Sequence, residues 1–504
     1  MPDPSSGRVL SFSTAVALVG GASYISLGLG VLRGILYTRL LPSPVSRGIV
    51  GIVFLVTAYL TYLHLGVIDG ISKRIPVLIG QGREKEAERL ERAGITVVFL
   101  TALAGASVMW AYALLATGTG VKTRYALAIG GVYLIFMQVS TVFRLVLRAR
   151  QQFRLMARAT VIEALVLLAL VVAGSALMDA PGTMVGWAIG LGVVCLYLMS
   201  HKVLPVMPLL DIRAAVELAK AGMPILGVNL CHRILRTIDK VVIVKVFGAG
   251  TLGFYDVAWQ LSAYLYNVPG AVGEVVTPKV LKAHGEGNSA AITGAVLQGT
   301  KAMGILMPAL AGFTALAGPI MLRVILPRYV DAIAPVQILL MAMVLLAVPT
   351  ALRATLIARN RETEMMVCDL AAAAVAGSLV WWLASRDAPM HELALGAGVG
   401  WAIGGLLTTW RGLLALDVPA TRIANLLAWA IVPLAYCSAV LFVLKGGVPG
   451  ISLSDSPMMA DLIGVPIFVA LTAPLIWIAE RQTGIVSRLR RREEPRDPGE
   501  NPDA

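Results

Sequence analysis

The chain has 504 residues, of which 58% are hydrophobic and 14% are charged, and its formal net charge is +13. A mean hydropathy of +0.80 excludes a soluble globular protein, because a chain of this length could not cover that much apolar surface. The apolar residues fall into blocks of roughly twenty, the length that crosses about 30 Å of hydrocarbon. The sequence therefore predicts an all-α integral membrane protein.

Hydropathy predicts about fourteen membrane spans. The first six are predicted at about 11–37, 47–69, 93–116, 125–147, 159–178 and 183–203. The other eight are predicted at about 219–247, 251–276, 295–318, 333–357, 364–385, 391–414, 423–444 and 459–480. Most Lys and Arg residues lie on the segments that are cytoplasmic when the N-terminus is inside, so both termini are expected in the cytoplasm. The positive charge then reflects membrane topology, and nucleic acid is not expected as a partner.

The two halves of the chain resemble each other when one is shifted by about 205 residues. Glycines and charged residues coincide at this and neighbouring shifts: Gly48 with Gly253, Asp69 with Glu274, Arg33 with Arg236, and Arg144 with Arg353. Each half holds six spans, which predicts two parallel repeats with a site between them. The expected regions are an N-lobe at 1–208, a C-lobe at 209–415, two additional spans in 416–480 and a disordered cytoplasmic tail at 481–504.

Charged residues interrupt the apolar stretch LCHRILRTIDKVV at 230–242. On a helix, four polar side chains share an arc of about 60°: Asn229, Arg233, Arg236 and Lys240. Ionisable residues in membrane spans seldom face lipid. We therefore expect these four residues, together with Arg33 of the first span, to line a water-filled cavity. Arginine forks match phosphate oxygens, so the pattern favours an anionic substrate.

Some of these residues also have a purely structural interpretation. Lys240 could extend to the outer headgroups, and Asp239 could neutralise Arg236 in a structural pair. Tyr59 and Tyr264, which the repeat places at equivalent positions, could stack on sugars or pack between helices.

Acidic residues in or near the spans are candidates for a gate or for coupling to H⁺ or Na⁺. Asp69 and Glu274 lie near the cytoplasmic ends of their spans, where they could instead be solvated end charges. Glu163 lies a few residues into the fifth span, and Asp239 lies within the charged stretch of the seventh.

No catalytic or cofactor motif is found in the sequence. It contains no Walker A loop, nucleophile elbow, dinucleotide fingerprint or Cys/His metal-binding cluster, and no interval between spans is long enough for a soluble catalytic domain. We expect neither an enzyme nor a bound metal or cofactor.

Four segments resemble one known family. RGILYTRLLPSPVSRGIVGI at 33–52 is similar to the first-loop pattern of bacterial polysaccharide flippases, and TIDKVVIVKVFGAGTLGFYDVAWQL at 237–261 is similar to their second-half pattern. The segments 277–287 and 327–339 also resemble that family, which belongs to the multidrug/oligosaccharidyl-lipid/polysaccharide flippase superfamily. The resemblance implies a MATE-like fold of two six-helix bundles in a V, worked by alternating access.

The resemblance also implies a function. The family moves undecaprenyl-pyrophosphate-linked oligosaccharide repeat units across the bacterial cytoplasmic (inner) membrane for O-antigen, capsule or exopolysaccharide biosynthesis. The expected partners are this lipid-linked oligosaccharide, membrane lipids, and polysaccharide polymerase or export proteins.

Three alternatives stay open at this point. A lipid II flippase also has fourteen spans, but its acidic, proline-bearing first-loop pattern is missing at 33–50. A multidrug or cation antiporter has acidic coupling residues in the first lobe, where only Glu163 and Asp69 could serve. A non-transporting membrane scaffold predicts that the buried arginines tolerate neutral replacement.

Overall fold

The computed structural model describes residues 12–116, 118–201, 203, 209–269, 289–359, 361–416, 418–446 and 456–483, and these are helical with no strand. The first seven helices are α1 (Phe12–Leu40), α2 (Pro44–Leu60), α3 (Val67–Gly80), α4 (Glu84–Leu115), α5 (Val121–Ala149), α6 (Phe153–Ser200) and α7 (Ile212–Tyr266). The next seven are α8 (Ser289–Ile325), α9 (Ile333–Ala347), α10 (Thr350–Ala358), α11 (Glu362–Ala384), α12 (Met390–Leu414), α13 (Ala420–Leu444) and α14 (Pro457–Thr483). The predicted all-α membrane fold is confirmed.

Twelve helical segments in the described ranges are long and apolar enough to cross a membrane. The fourteen predicted spans fall on these segments because two of the helices contain a break. In α6 the backbone leaves helical geometry at Met178 and Asp179. The residues on either side pack antiparallel, with the Ser175 and Thr183 hydroxyls 2.8 Å apart. The predicted fifth and sixth spans are therefore the two arms of α6.

The second break lies at Gly248 in α7, where φ is +77°. Glycine adopts this left-handed conformation without the steric cost that other residues incur. The Trp259 side chain of the second arm returns to the first arm, where its Nε1 donates a hydrogen bond to the Arg236 carbonyl, 3.0 Å away. The predicted seventh and eighth spans are the arms of this hairpin, as far as the described residues extend.

The second predicted span is interrupted, which the sequence did not indicate. A 3₁₀ turn at Thr61–His64 follows α2, and Leu65 and Gly66 then adopt left-handed φ values of +49° and +87° before α3 begins. A Cβ atom on Gly66 would lie 2.8 Å from the Met223 backbone nitrogen. Gly66 thus combines a backbone conformation and a close approach that only glycine permits.

The chain divides into two compact units. Unit one contains Met1–Arg233 and Ile243–Asp256, and unit two contains Ile234–Val242 and Val257–Ala504. In unit one, fully buried residues such as Ile71 and Leu147 build a core between α3, α4, α5 and α6. Among the described residues of unit two, Trp401 of α12 is the largest fully buried side chain.

Each unit contains an arginine that pairs with a carboxylate on the following span. In unit one, Arg144 of α5 pairs with Glu163 of α6. In unit two, Arg353 of α10 binds Asp369 of α11 through two hydrogen bonds of 2.7 and 3.1 Å. The sequence repeat aligns Arg144 with Arg353, and each of these arginines has an acidic partner on the helix that follows.

The start of α2 packs closely against the second arm of α7, within unit one. A Cβ atom on Gly48 would clash with the Ala249 carbonyl, and one on Gly253 would clash with the Pro44 carbonyl. Arg47 and Asp256 form an ion pair of 2.6 Å beside these glycines, and Arg47 is 1% exposed. Gly48 and Gly253, which the repeat aligns, therefore face each other in the folded chain.

Candidate cationic substrate site

The charged stretch of α7 is held in unit two by its apolar face. Leu235 is fully buried, and its carbonyl accepts a hydrogen bond of 3.2 Å from Trp401 Nε1. A Cβ atom on Gly404 would lie 2.7 Å from the Leu235 side chain, and one on Gly377 would lie 2.9 Å from Ile238. Because Leu235 and Ile238 pack against these two glycines, Arg236 and Lys240 lie on the opposite face of the helix.

Two aromatic rings lie against these cations. The Arg236 guanidinium lies 4.3 Å from the ring centroid of Tyr266 and 5.3 Å from that of Trp259. The Lys240 ammonium lies 3.6 Å from the Trp259 centroid, and Lys240 is 6% exposed. Cation–π contacts of this kind contribute about 0.5–2 kcal/mol, with the larger values in desolvated sites. Lys240 is therefore buried within unit two, and its role in a cationic cavity stays a prediction.

Asp239 is fully buried on the same helix. Its Oδ1 accepts a hydrogen bond of 2.8 Å from the backbone N–H of Lys240. This contact anchors the carboxylate locally, and a gating or coupling role for Asp239 stays a prediction.

In unit one, Arg33 of α1 has a comparable aromatic partner. Its guanidinium lies 4.3 Å from the ring centroid of Trp187, in the second arm of α6. Trp187 makes edge-to-face contacts with Phe54 and Tyr133, with centroid separations of 5.4 and 5.9 Å. Such contacts fix the ring planes. Trp187 is thus a rigid support for the half-buried Arg33.

Asn229 and Asp69 are in contact within unit one. The Asn229 amide donates a hydrogen bond of 3.3 Å to Asp69 Oδ1, and the Tyr62 hydroxyl donates one of 3.0 Å to the Asn229 carbonyl. Asp69 lies beyond His64, where the candidate span that begins at Pro44 ends. Burial raises the pKa of the Asp69 carboxyl to about 6. The pKa of this carboxyl thus lies above that of an ordinary aspartate, and a gating or coupling role for Asp69 stays a prediction.

The remaining predicted residues occupy varied surroundings. Arg233 is half-buried one turn after Asn229, in unit one. Glu163 is engaged by Arg144, which is not the environment of an available cation site. The Tyr264 hydroxyl accepts a hydrogen bond of 3.0 Å from Gln260, and Tyr59 is half-buried. The roles of these residues stay predictions. Glu274 lies outside the described residues.

Sequence reasoning missed the aromatic partners Trp187, Trp259 and Tyr266. One signal was available for Trp259, because a hairpin turn brings together residues that are equally distant from it along the chain. Arg236 lies twelve residues before Gly248 and Trp259 lies eleven after it. No comparable signal links Arg33 to Trp187, which are joined only by tertiary packing.

The fold defines a polytopic membrane protein with arginines held on its candidate membrane helices. A family model described as a polysaccharide biosynthesis protein matches residues 36–335. The chain belongs to this polysaccharide biosynthesis family, as the sequence resemblance predicted. No curated protein sequence gives a significant match.

Several solved structures share the fold. The lipid II flippase MurJ in an inward closed conformation has a TM-score of 0.68 at 15% identity, covering 92% of this chain and 99% of that one. An inward-facing multidrug resistance MATE transporter of the MOP superfamily has a TM-score of 0.63 at 15% identity, with coverages of 78% and 94%. A MOP superfamily transporter from Pyrococcus furiosus has a TM-score of 0.60 at 16% identity, with coverages of 82% and 96%. The predicted MATE-like fold is confirmed.

Proposed function

We propose that this protein is a flippase for undecaprenyl-pyrophosphate-linked oligosaccharide repeat units, working by alternating access in a bacterial cytoplasmic membrane with both termini in the cytoplasm. The observation that carries the proposal is the cluster of Arg236, Lys240, Trp259 and Tyr266 inside the membrane helices of unit two. Membership of the polysaccharide biosynthesis family supports the glycan part of the substrate.

The chemistry of this cluster suits a sugar pyrophosphate. A guanidinium can bind phosphate oxygens through two parallel hydrogen bonds while its face lies against an aromatic ring. The rings supply apolar faces of the kind on which sugars stack. A transported headgroup must also be released, and a few cations restrained by rings bind it less tightly than a closed cage would.

Arg33 and Trp187 offer the same combination in unit one. Since the repeat aligns Arg33 with Arg236, we propose that each unit contributes one phosphate-binding arginine during the transport cycle. Asp69, with its raised pKa, is the proposed site of H⁺ coupling. Enzymatic chemistry forms no part of the proposal. Polymerase or export proteins are proposed as partners.

The charge of these clusters argues against export of cationic drugs. The Pyrococcus furiosus transporter with this fold is described as having a binding pocket of reverse polarity, which suggests a different function for that protein. Arginine, lysine and aromatic side chains likewise give positive polarity here, whereas an organic cation needs acidic partners. Of the two acidic candidates in the first half, Glu163 is paired with Arg144, and Asp69 lies beyond the end of its candidate span.

Purified full-length protein in liposomes tests the assignment. The liposomes carry, in separate preparations, fluorescent undecaprenyl-pyrophosphate oligosaccharide, fluorescent lipid II or a small cationic dye. We expect protein-dependent exposure of the oligosaccharide lipid on the opposite leaflet, at a rate well above that of lipid II, and no movement of the dye. Faster movement of lipid II would assign the peptidoglycan precursor instead. Ion-driven movement of the dye alone would assign a drug antiporter.

Two results would distinguish a scaffold from a transporter. A scaffold moves none of the three substrates, and neutral replacement of Arg236 leaves glycan synthesis in cells unchanged. Loss of polysaccharide from cells that carry a normally expressed Arg236→Gln variant excludes the scaffold.

A further inference from the structure

A cavity of about 350 Å³ lies in unit one, between the end of α3 and the turn that joins α5 to α6. Its polar wall is formed by Ser72, Arg148 and Gln151. None of these residues belongs to the cationic clusters proposed for transport. The cavity is therefore a separate feature of the molecule, with its own chemistry.

The rest of the wall is apolar and includes Ile79, Leu145 and Phe153. Leu145 lies in the last turns of the candidate span Val121–Ala149, and Phe153 opens the next candidate span. The cavity thus lies beside the ends of two candidate spans, where span ends are expected to meet the headgroup layer. A ligand that fits it has a polar group at one end and an apolar part at the other.

Three arginines near the end of α5 differ in their partners. Arg144 pairs with Glu163, and Arg150 binds Glu91 through two hydrogen bonds of 3.0 and 2.7 Å. Arg148 is exposed and forms no ion pair with any residue in the described ranges. Of these three side chains, Arg148 is the one that lines the cavity. Its charge is available to a bound anion.

We propose that this cavity is a binding site for an anionic phospholipid, whose phosphodiester is held by Arg148 and whose glycerol and first acyl carbons lie on Leu145 and Phe153. An arginine binds phosphate oxygens in a fork geometry that a zwitterionic headgroup satisfies less well, because its own ammonium repels the guanidinium. Basic residues at a membrane surface attract anionic lipids in the same way. The ligand remains at the surface of the protein and is not the transported substrate.

Two substitutions test the cavity, one by removing charge and the other by filling space. Arg148→Ala removes the charge and leaves the apolar wall intact. Gly80→Leu fills the cavity: Gly80 lines it at the end of α3, and a Cβ atom there meets no heavy atom within 4 Å. Arg213→Ala is the matched control, because Arg213 is also an exposed arginine but does not line the cavity.

Full-length protein is stripped of lipid in mild detergent, and binding of fluorescent phosphatidylglycerol is measured by titration. We expect each of Arg148→Ala and Gly80→Leu to weaken binding by about tenfold, the usual consequence of losing one charge-assisted hydrogen bond or the space for the ligand. Arg213→Ala should bind as the unaltered protein does. Phosphatidylcholine should bind more weakly than phosphatidylglycerol.

Several results would overturn the proposal. One is equal binding by the unaltered protein and both cavity variants. Another is equal binding of phosphatidylglycerol and phosphatidylcholine. Displacement of the fluorescent lipid by millimolar inorganic phosphate alone would assign the site to a free anion. If Arg148→Ala does not fold, Gly80→Leu still tests the proposal. A Cβ atom at position 80 meets no heavy atom within 4 Å, so we expect this variant to fold.

Discussion

The guanidinium of Arg236 lies 4.3 Å from the ring centroid of Tyr266, on the opposite arm of one helical hairpin. Gly248 makes this relationship possible, since its left-handed φ of +77° reverses the chain between the two residues. The Arg236 guanidinium thereby gains an aromatic partner that itself carries no charge.

The contact between Arg236 and Tyr266 predicts that the aromatic face stabilises the guanidinium and that the Tyr266 hydroxyl is not required. Tyr266→Phe keeps the ring and should transport at close to the normal rate. Tyr266→Leu removes a contact of about 0.5–2 kcal/mol and should lower headgroup affinity by roughly two- to thirtyfold. Titration of the oligosaccharide lipid into each purified variant measures the difference. Equal losses in the two variants would show that the hydroxyl is the essential group.

Removal of one partner from the buried pair of Arg353 and Asp369 should strongly destabilise unit two. The side chains are 12% and 0% exposed, so Asp369→Ala leaves an uncompensated charge in the interior. We expect a loss of about 3–5 kcal/mol in the free energy of unfolding. The measurement is chemical unfolding in detergent, followed by tryptophan fluorescence.

The control for that experiment is the exposed pair of Arg361 and Glu364, whose side chains are 48% and 33% exposed. Breaking it with Glu364→Ala should cost at most about 1 kcal/mol. Replacing Arg353 and Asp369 together with Met and Leu should recover much of the lost stability. A double variant as unstable as Asp369→Ala would contradict this account of the pair.

The close contact between Gly48 and Ala249 predicts that one added methyl group at position 48 lowers the stability of the protein. Gly48→Ala places a Cβ atom against the Ala249 carbonyl. Overpacking of this kind costs about 1–3 kcal/mol or more. Gly80→Ala, where the Cβ meets open space, should change stability by no more than about 0.5 kcal/mol. Thermal unfolding of the two variants, compared under identical conditions, distinguishes a packing effect from a general intolerance of alanine.

The raised pKa of Asp69 predicts that the stability of the folded protein depends on pH. Burial raises its pKa from the ordinary 3.8 to about 6, so between these values the folded chain binds more protons than the unfolded chain. The contribution of Asp69 to stability is therefore greatest below pH 4 and is lost as the pH rises through 6. In Asp69→Asn this contribution should disappear, and the unfolding temperature should fall less between pH 4 and 7 than in the unaltered protein. Identical pH profiles would mean that Asp69 titrates normally.

Hydropathy alone located the membrane spans, because twenty apolar residues admit few other interpretations. The interruption after α2 was not predicted, since Leu65 has no intrinsic preference for a left-handed conformation and tertiary contacts impose it. The charged stripe was likewise predictable from helical periodicity. Its aromatic partners were harder to predict: Trp259 is indicated only by its distance from the turn at Gly248, and Tyr266 is unremarkable inside an apolar span. The ion pair of Glu163 with Arg144 was not predictable either, because it depends on tertiary packing.

The most direct test of the central claim compares two arginines that both lie against aromatic rings. Arg236→Ala removes the interior cation, whereas Arg386→Ala removes an exposed one, 4.1 Å from the ring centroid of Trp382. Each variant is reconstituted in liposomes, and leaflet exposure of fluorescent undecaprenyl-pyrophosphate oligosaccharide is followed over time. The account predicts loss of transport for Arg236→Ala at normal membrane insertion, with transport intact for Arg386→Ala. Full transport by a correctly inserted Arg236→Ala protein would contradict it.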